Sequence, residues 1–241
     1  MKKYAFLEIC VETLDSALAA ERGGADRIEL CENLRVGGVT PGADLVRAVR
    51  AQVHIPVFAM VRPRGGDFLY SEAEFEQMTR DLAKARESGM DGAVFGLLRA
   101  DRRVDVVRTR ALVDLARPLP VTFHRAFDET PDFGEALEDV IATGAARILT
   151  SGGSTSAEEG IATIARLVDA SRNRIEILPG GGIGAANIER IRQSTRAREF
   201  HSGLSAVLPS PLKDLVAFET EVRRLAEVLR QHLPGVVREK R

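Results

Sequence analysis

The sequence predicts an α/β fold, a (βα)8 TIM barrel in which residues 1–241 form a single domain. Short apolar runs alternate with helical patterns from one end of the chain to the other. The length of 241 residues suits one such barrel. Glycine-rich loops follow the late strand candidates, where barrels often bind phosphate. Together these observations predict a parallel sheet joined by right-handed crossovers.

Eight short runs rich in apolar and β-branched residues are the strand candidates. Each is as short as a strand buried on both faces is expected to be. The runs are 5–10, 26–31, 56–61, 92–96, 120–124, 147–150, 175–178 and 198–201.

Helical patterns fill the gaps between these runs. The clearest covers 72–88, where apolar residues recur at helical spacing. Ser71 and Glu74 form a capping box at its start, and Ser156 with Glu159 repeats that signal later in the chain. The sequence therefore predicts helix starts at both places.

An open doubly wound sheet is the alternative architecture. Such a sheet more often carries a glycine fingerprint after its first strand, whereas the residues at 10–13 include no glycine. This difference favours the closed barrel. The last amphipathic segment, about 214–233, is then the eighth barrel helix, with a subunit contact as the alternative.

Composition excludes several classes of protein. The net charge of −1 provides no basic field for nucleic acid. No apolar run approaches the roughly 18 residues that a membrane helix needs, and the N-terminus does not resemble a signal peptide. Two cysteines in 241 residues do not make a disulfide scaffold. We therefore expect a cytoplasmic protein.

The first two strands repeat the pattern Glu-x-Cys, as Glu8 with Cys10 and Glu29 with Cys31. Side chains alternate along a strand, so each glutamate shares a face with its cysteine. A buried carboxylate needs a partner. Two interpretations remain open: a structural ion-pair network, or carboxylates held for acid–base catalysis. The candidate partners for these carboxylates are Arg27, Arg62, Arg64 and Arg125.

The segment that follows the third strand predicts an anion site. Arg62 and Arg64 flank a proline, and two glycines follow them. Guanidinium groups suit carboxylate and phosphate ligands. Arg125, after the fifth strand, is a further candidate. A generic turn explains the glycines but not both arginines.

Two histidines end strands of the predicted barrel. His124 ends the fifth strand, and Asp128 follows in a position to orient its ring or to pair with Arg125. His201 ends the eighth strand. A lone histidine is more often structural, but two at one barrel mouth favour a catalytic interpretation.

Glycine-rich turns follow the late strands and open into helices. Backbone N–H groups in such turns attract anions. The predicted anion-binding residues of this region are Ser151, Gly152, Gly181, Gly182 and Ser202.

Cys10 and Cys31 have two interpretations. Free cysteines are commonly buried as small apolar side chains. Alternatively, thiolates on neighbouring strands form a Cu(I) site, because Cu(I) prefers soft ligands.

Several segments together resemble the CutC family over about residues 5–208. They are Leu-Glu-Ile-Cys (7–10), Gly-Gly-Ala-Asp-Arg-Ile-Glu-Leu-Cys (23–31), Arg-Pro-Arg-Gly-Gly-Asp-Phe-Leu-Tyr-Ser (62–71), Val-Thr-Phe-His-Arg-Ala-Phe-Asp (121–128), Leu-Thr-Ser-Gly (149–152) and Pro-Gly-Gly-Gly-Ile (179–183).

This resemblance implies a TIM barrel, a cytoplasmic location, a homo-oligomer (dimer or tetramer) and a role in copper homeostasis. It also implies that Cys10 and Cys31 match the cysteines proposed for Cu(I) in animal relatives. The chain departs from the family pattern at His-Ser-Gly-Leu-Ser (201–205), which puts the role of that loop in question.

Three functional hypotheses follow. The first is a copper homeostasis protein that holds Cu(I). The second is an isomerase, lyase or hydrolase acting on a small anionic or phosphorylated substrate, with Glu8, Glu29 and His124 as acid–base groups. The third is a barrel that has lost activity and serves as a scaffold.

Overall fold

The computed structural model describes residues 5–204, 208 and 214–231. Its eight strands coincide with the eight predicted runs to within two residues at each end. They are β1 (Phe6–Val11), β2 (Arg27–Leu30), β3 (Val57–Met60), β4 (Gly92–Phe95), β5 (Val121–Phe123), β6 (Arg147–Thr150), β7 (Glu176–Pro179) and β8 (Glu199–Ser202).

The strands form a nearly closed parallel barrel. Hydrogen-bonded neighbours run in the order β7-β6-β5-β4-β3-β2-β1-β8, and β7 also contacts β8. The prediction of a closed barrel over an open sheet is therefore confirmed. All carboxyl ends of the strands meet at one face of the barrel, as parallel pairing requires.

Eight helices alternate with the strands over the described residues. They are α1 (Leu14–Gly23), α2 (Ala43–Gln52), α3 (Glu72–Glu87), α4 (Val106–Ala116), α5 (Phe133–Thr143), α6 (Ile161–Ser171), α7 (Ile188–Thr195) and α8 (Leu215–Gln231). Ser71 and Glu74 make the predicted capping box at the start of α3. None of these helices is both long and apolar enough to cross a membrane.

The last helix packs as an eighth barrel helix. Helix α8 contacts α1, α7 and β1. It lies so close to α1 that a Cβ atom at Gly23 would be 2.7 Å from Cβ of Val222. The predicted segment of about 214–233 extends past Gln231 to residues outside the described part of the chain.

The prediction of a helix start at Ser156 was wrong. The Ser156 hydroxyl does accept a hydrogen bond from the Glu159 N–H, but helix α6 begins only at Ile161. Gly160 explains the delay, because its backbone passes so close to the carbonyl of Ser151 that no side chain fits there. The local capping signal therefore stabilises a turn that lies before the helix.

Candidate metal centre

A cavity of about 910 Å³ opens at the carboxyl ends of the strands. Its size is within the range of small-molecule sites. Many of the predicted site residues line it: Cys10, Glu29, Arg62, His124, Arg125, Asp128, Gly181, Gly182, His201 and Ser202. Its described lining does not include Glu8, Cys31, Arg64, Ser151 or Gly152.

The two thiols meet at the wall of this cavity, which Cys10 lines and Cys31 does not. The Sγ atoms of Cys10 and Cys31 are 3.2 Å apart, and both cysteines are free and buried. The register of β1 on β2 places Cys10 beside Glu29, and Cys31 follows β2 directly. The hydrogen bond to Cys31, burial and the nearby Glu29 all raise the pKa of the Cys10 thiol well above its ordinary value.

The Glu29 carboxylate lies beside the thiol pair. Its ligand atom and the sulfurs of Cys10 and Cys31 all lie within 4.8 Å of one another. Its Oε1 atom is buried and has no hydrogen-bond partner among the described residues. Burial raises the pKa of Glu29, and the neighbouring carboxylate of Glu8 adds to the effect.

Glu8 and His201 form a buried pair on the other side of Glu29. The Nδ1 atom of His201 is 2.7 Å from Oε1 of Glu8, and its Nε2 atom is 3.9 Å from Oε2 of Glu29. Burial alone would raise the pKa of Glu8, but Arg27 and His201 outweigh it and lower that pKa to about 2. Burial lowers the pKa of His201, while Glu29 and Glu8 reverse the effect and raise it.

Arg27 anchors this acidic cluster from the layer below. Its guanidinium group donates to Glu8 and, at 2.9 Å, to Glu199. It also lies 4.7 Å from the ring centroid of Phe6 and 4.6 Å from that of Phe58. Of the four arginines proposed from the sequence as partners for the carboxylates, Arg27 is the one that the described contacts show in this role.

These residues and the fold match a known family. The family model described as the CutC family matches residues 5–206. The human copper homeostasis protein cutC homolog is 48% identical over 207 residues, which are 86% of this chain and 76% of the relative.

This chain belongs to the CutC family.

Further comparisons agree with that assignment. A CutC family protein from Chromobacterium violaceum is 46% identical, with 86% of this chain and 84% of the relative covered. The crystal structure of a CutC protein from Streptococcus agalactiae superimposes with a TM-score of 0.79 at 35% identity, covering 82% of this chain and 98% of that one. The resemblance inferred from the sequence is therefore confirmed. Phosphoribosyl anthranilate isomerase from Thermococcus kodakaraensis, at 18% identity and a TM-score of 0.61, shares the fold alone.

Arg62 and Arg64 of this CutC family member are engaged by loop groups, Arg62 mainly by the loop after β2 and Arg64 by its own loop and Glu74. The guanidinium group of Arg62 donates to the backbone carbonyls of Val36, Gly38 and Gly66. That of Arg64 donates to Glu74 and to the loop at 65–69. Both side chains thus hold the loop after β3 in place, and their anion-binding role remains a prediction.

Asp128 ties the loops after β5 and β6 together. Its carboxylate accepts hydrogen bonds from Thr150, Ser151 and Gly153 and pairs with Arg125 at 2.8 Å. It is therefore already engaged by loop groups. The sequence correctly placed Asp128 near Arg125, but it did not show the contacts with the following loop.

His124 is a neutral, buried histidine. Burial and the positive charge of Arg62 lower its pKa to about 3. Its Nδ1 atom accepts the N–H of Ala126, so the proton of the neutral ring is on Nε2. The ring lies across β4, where a Cβ atom at Gly96 would be 2.6 Å from Nδ1. Glycine at position 96 is therefore what makes room for this ring.

The glycines of the late loops have left-handed backbone conformations, while anion binding by these loops stays a prediction. Gly152, Gly181 and Gly182 have φ angles of 71°, 101° and 72°, a region in which glycine alone is free of strain. The Ser202 hydroxyl donates to the carbonyl of Ile183 at 2.6 Å. The departure from the family pattern at 201–205 is described as far as Leu204, and Ser205 lies outside the described residues.

Sequence reasoning missed three residues that surround the centre. Glu199 accepts hydrogen bonds from both Arg27 and Arg147, and Met60 packs in one cluster with Cys10 and Cys31. Charged residues at the starts of β2, β6 and β8 were the available signal. Because side chains alternate between the two faces of a strand, these residues share the inward face with the site residues that lie two positions later.

Proposed function

We propose that this protein binds Cu(I) between Cys10 and Cys31 and acts in copper homeostasis in the cytoplasm. The observation that carries the proposal is the pair of buried, free thiols with sulfurs 3.2 Å apart. The names of its relatives support the physiological role, since they are called copper homeostasis proteins.

The two sulfurs, taken alone, fit a soft monovalent ion. Thiolates and thioethers select Cu(I), and Met60 packs beside the two cysteines. The route to the site is the cavity, which Cys10 lines. Because the pKa of Cys10 is raised, binding has to displace its proton, and affinity is expected to rise with pH.

A reducing compartment suits this chemistry. Two sulfurs at this separation are near enough to be oxidised to a disulfide with little movement. The proposed site therefore depends on a compartment that keeps the thiols reduced. We therefore retain the cytoplasm as the proposed location. A homo-oligomer, implied by the family resemblance, also remains a proposal that light scattering of the purified protein tests directly.

The enzyme hypothesis has less support. It requires cationic groups that are free to hold an anionic substrate. Arg62, Arg64 and Arg125 instead donate to partners within their own or neighbouring loops, although Nε of Arg62 has no partner among the described residues. We therefore place copper binding first.

Competition with a Cu(I) chelator tests the proposal. We expect Cys10→Ser and Cys31→Ser each to lose most of the Cu(I) affinity, because each removes one of the two thiolates. Val94→Ala, which removes two methyl groups from the same cluster but leaves the sulfurs, is the matched control and should bind as the wild type does. Unchanged affinity in both serine variants would exclude the thiol site.

A further inference from the structure

The unpartnered oxygen of Glu29 is the starting point. Glu29 is 3% exposed, and its Oε1 atom has no hydrogen-bond partner among the described residues. A buried carboxylate oxygen in that state carries a desolvation penalty that a cation relieves. The two thiols are its neighbours, and all three ligand atoms lie within 4.8 Å of one another.

Glu8 and His201 have a different role, although they also cluster with Glu29. Glu8 is already engaged by Arg27 and by Nδ1 of His201. His201 in turn faces Glu29 across 3.9 Å. That distance is too long for a hydrogen bond, so Glu29 is left as the available oxygen donor beside the thiols.

The donor set of two sulfurs and one carboxylate oxygen favours an ion of intermediate softness. Zn²⁺ takes thiolate and carboxylate ligands together in tetrahedral geometry, whereas Cu(I) selects sulfur. With Zn–S bonds of about 2.3 Å, tetrahedral geometry separates the two sulfurs by about 3.8 Å. The observed separation of 3.2 Å needs only a small adjustment to reach that value.

Charge also favours a divalent ion. Two thiolates and a carboxylate carry three negative charges, so a monovalent ion leaves two uncompensated and a divalent ion leaves one. A buried site with little net charge is the more stable one.

We propose that Glu29 is a third ligand beside Cys10 and Cys31, and that the three form a tetrahedral site for a divalent ion of the Zn²⁺ class. The fourth position faces the cavity, which Cys10 and Glu29 both line. Three protein ligands and one open position are the arrangement in which zinc also binds water or a small ligand. This inference rests on the proposed function, because it uses the same thiols, but it concerns a different donor and a different ion.

Co²⁺ and Zn²⁺ binding by the wild-type protein is the first test, and it needs no variant. Purified, reduced protein is titrated with Co²⁺, whose spectrum reports coordination geometry and sulfur ligands. We expect intense tetrahedral bands with a thiolate charge-transfer band at one equivalent, and displacement by Zn²⁺. X-ray absorption of the Zn²⁺ form should show two sulfur and two lighter ligands. A weak octahedral spectrum without a charge-transfer band would overturn the proposal.

Glu29→Gln is the second test, and it removes the charge at nearly constant volume. We expect its Zn²⁺ affinity, measured against a chromophoric chelator, to fall by at least about tenfold, since even outer-shell changes reach that size. Its Cu(I) affinity should not fall. Glu12→Gln is the matched control, because Glu12 lines the same cavity but its carboxylate caps the N–H of Leu34.

The possible failures are distinguishable. Cu(I) binding that depends on the cysteines, without Zn²⁺ or Co²⁺ binding, overturns this inference and leaves the proposed function intact. Absence of Cu(I) binding with Zn²⁺ held by all three residues overturns the proposed function instead. Zn²⁺ binding that Glu29→Gln leaves unchanged, with a folded variant by circular dichroism, overturns the role of Glu29.

Discussion

Two sides of the cavity differ in how their charged groups are satisfied. On the thiol side, formed by the ends of β1, β2 and β8, an acceptor oxygen of Glu29 has no hydrogen-bond partner within the described part of the chain. On the loop side, formed by the ends of β3 to β7, Asp128 is fully engaged by neighbouring groups. The nitrogens there that have no hydrogen-bond partner among the described residues, Nε of Arg62 and Nε2 of His124, are N–H donors and cannot bind a cation. We therefore place the proposed metal site at the acceptor oxygen of Glu29 and not on the side with more polar residues.

The largest effect is expected from the arginine beneath the thiol side. Arg27→Met leaves the buried Glu8 and the partly buried Glu199 with fewer partners, and breaking a buried pair typically costs about 3–5 kcal/mol. Urea unfolding followed by circular dichroism measures the change in the free energy of unfolding.

Arg198→Met is the control for that change. Arg198 pairs with Glu176 at the exposed surface, where an ion pair contributes about 0–1 kcal/mol. Equal losses in the two variants would contradict the view that the thiol side depends on Arg27.

The pH dependence of stability tests the loop side. The folded protein protonates His124 only near pH 3, whereas the ordinary pKa is 6.5. The unfolded chain therefore binds more protons between these values, and stability falls as the pH falls through this window. Glu8, with its pKa lowered from 4.5 to about 2, adds to the loss below pH 4.5. The pKa of His201 is raised, so its contribution to stability is present below pH 6.5 and is lost as the pH rises above that value.

His124→Gln isolates the histidine contribution. Between pH 6.5 and 4.5 we expect the variant to lose up to about 3 kcal/mol less stability than the wild type, at about 1.4 kcal/mol per pH unit. Denaturant midpoints across this range provide the measurement. His54→Gln, at an exposed position, should keep the wild-type slope, and a wild-type slope in His124→Gln would show that this ring does not stay neutral.

The smallest effect is expected at Arg64. Its side chain is 37% exposed and pairs with Asp67 of its own loop and with Glu74. Arg64→Ala should therefore change the free energy of unfolding by about 1 kcal/mol or less. Thermal shift with phosphate and sulfate sharpens the comparison. We expect phosphate and sulfate to raise the melting temperature of the wild type no more than that of Arg64→Ala. A rise that depends on Arg64 would support the anion site predicted on the loop side.

The sequence predicted what depends on local periodicity. Strand positions, the capping box of Ser71 and the shared face of Cys10 and Glu8 all follow from spacing along one segment. The approach of Cys10 to Cys31 also followed, since adjacent strands of a parallel barrel end at one face.

Contacts set by closure of the barrel were not predictable in this way. Glu199 reaches Arg27 only because β8 lies beside β1, and no local pattern shows that pairing. Asp128 likewise accepts a hydrogen bond from the Ser151 N–H only because β5 pairs with β6. The delayed start of α6 comes from a close backbone contact at Gly160, which depends on a residue nine positions away.

The two cysteines differ in their access to solvent. Cys10 lines the cavity, whereas Cys31 lies behind it, completely buried, with the backbone of Gly38 against its sulfur. Anything that arrives through the cavity meets Cys10 first and reaches Cys31 only afterwards. For the proposed metal site this difference predicts an order of capture and of release, and an alkylating reagent added to the folded protein should modify Cys10 long before it modifies Cys31.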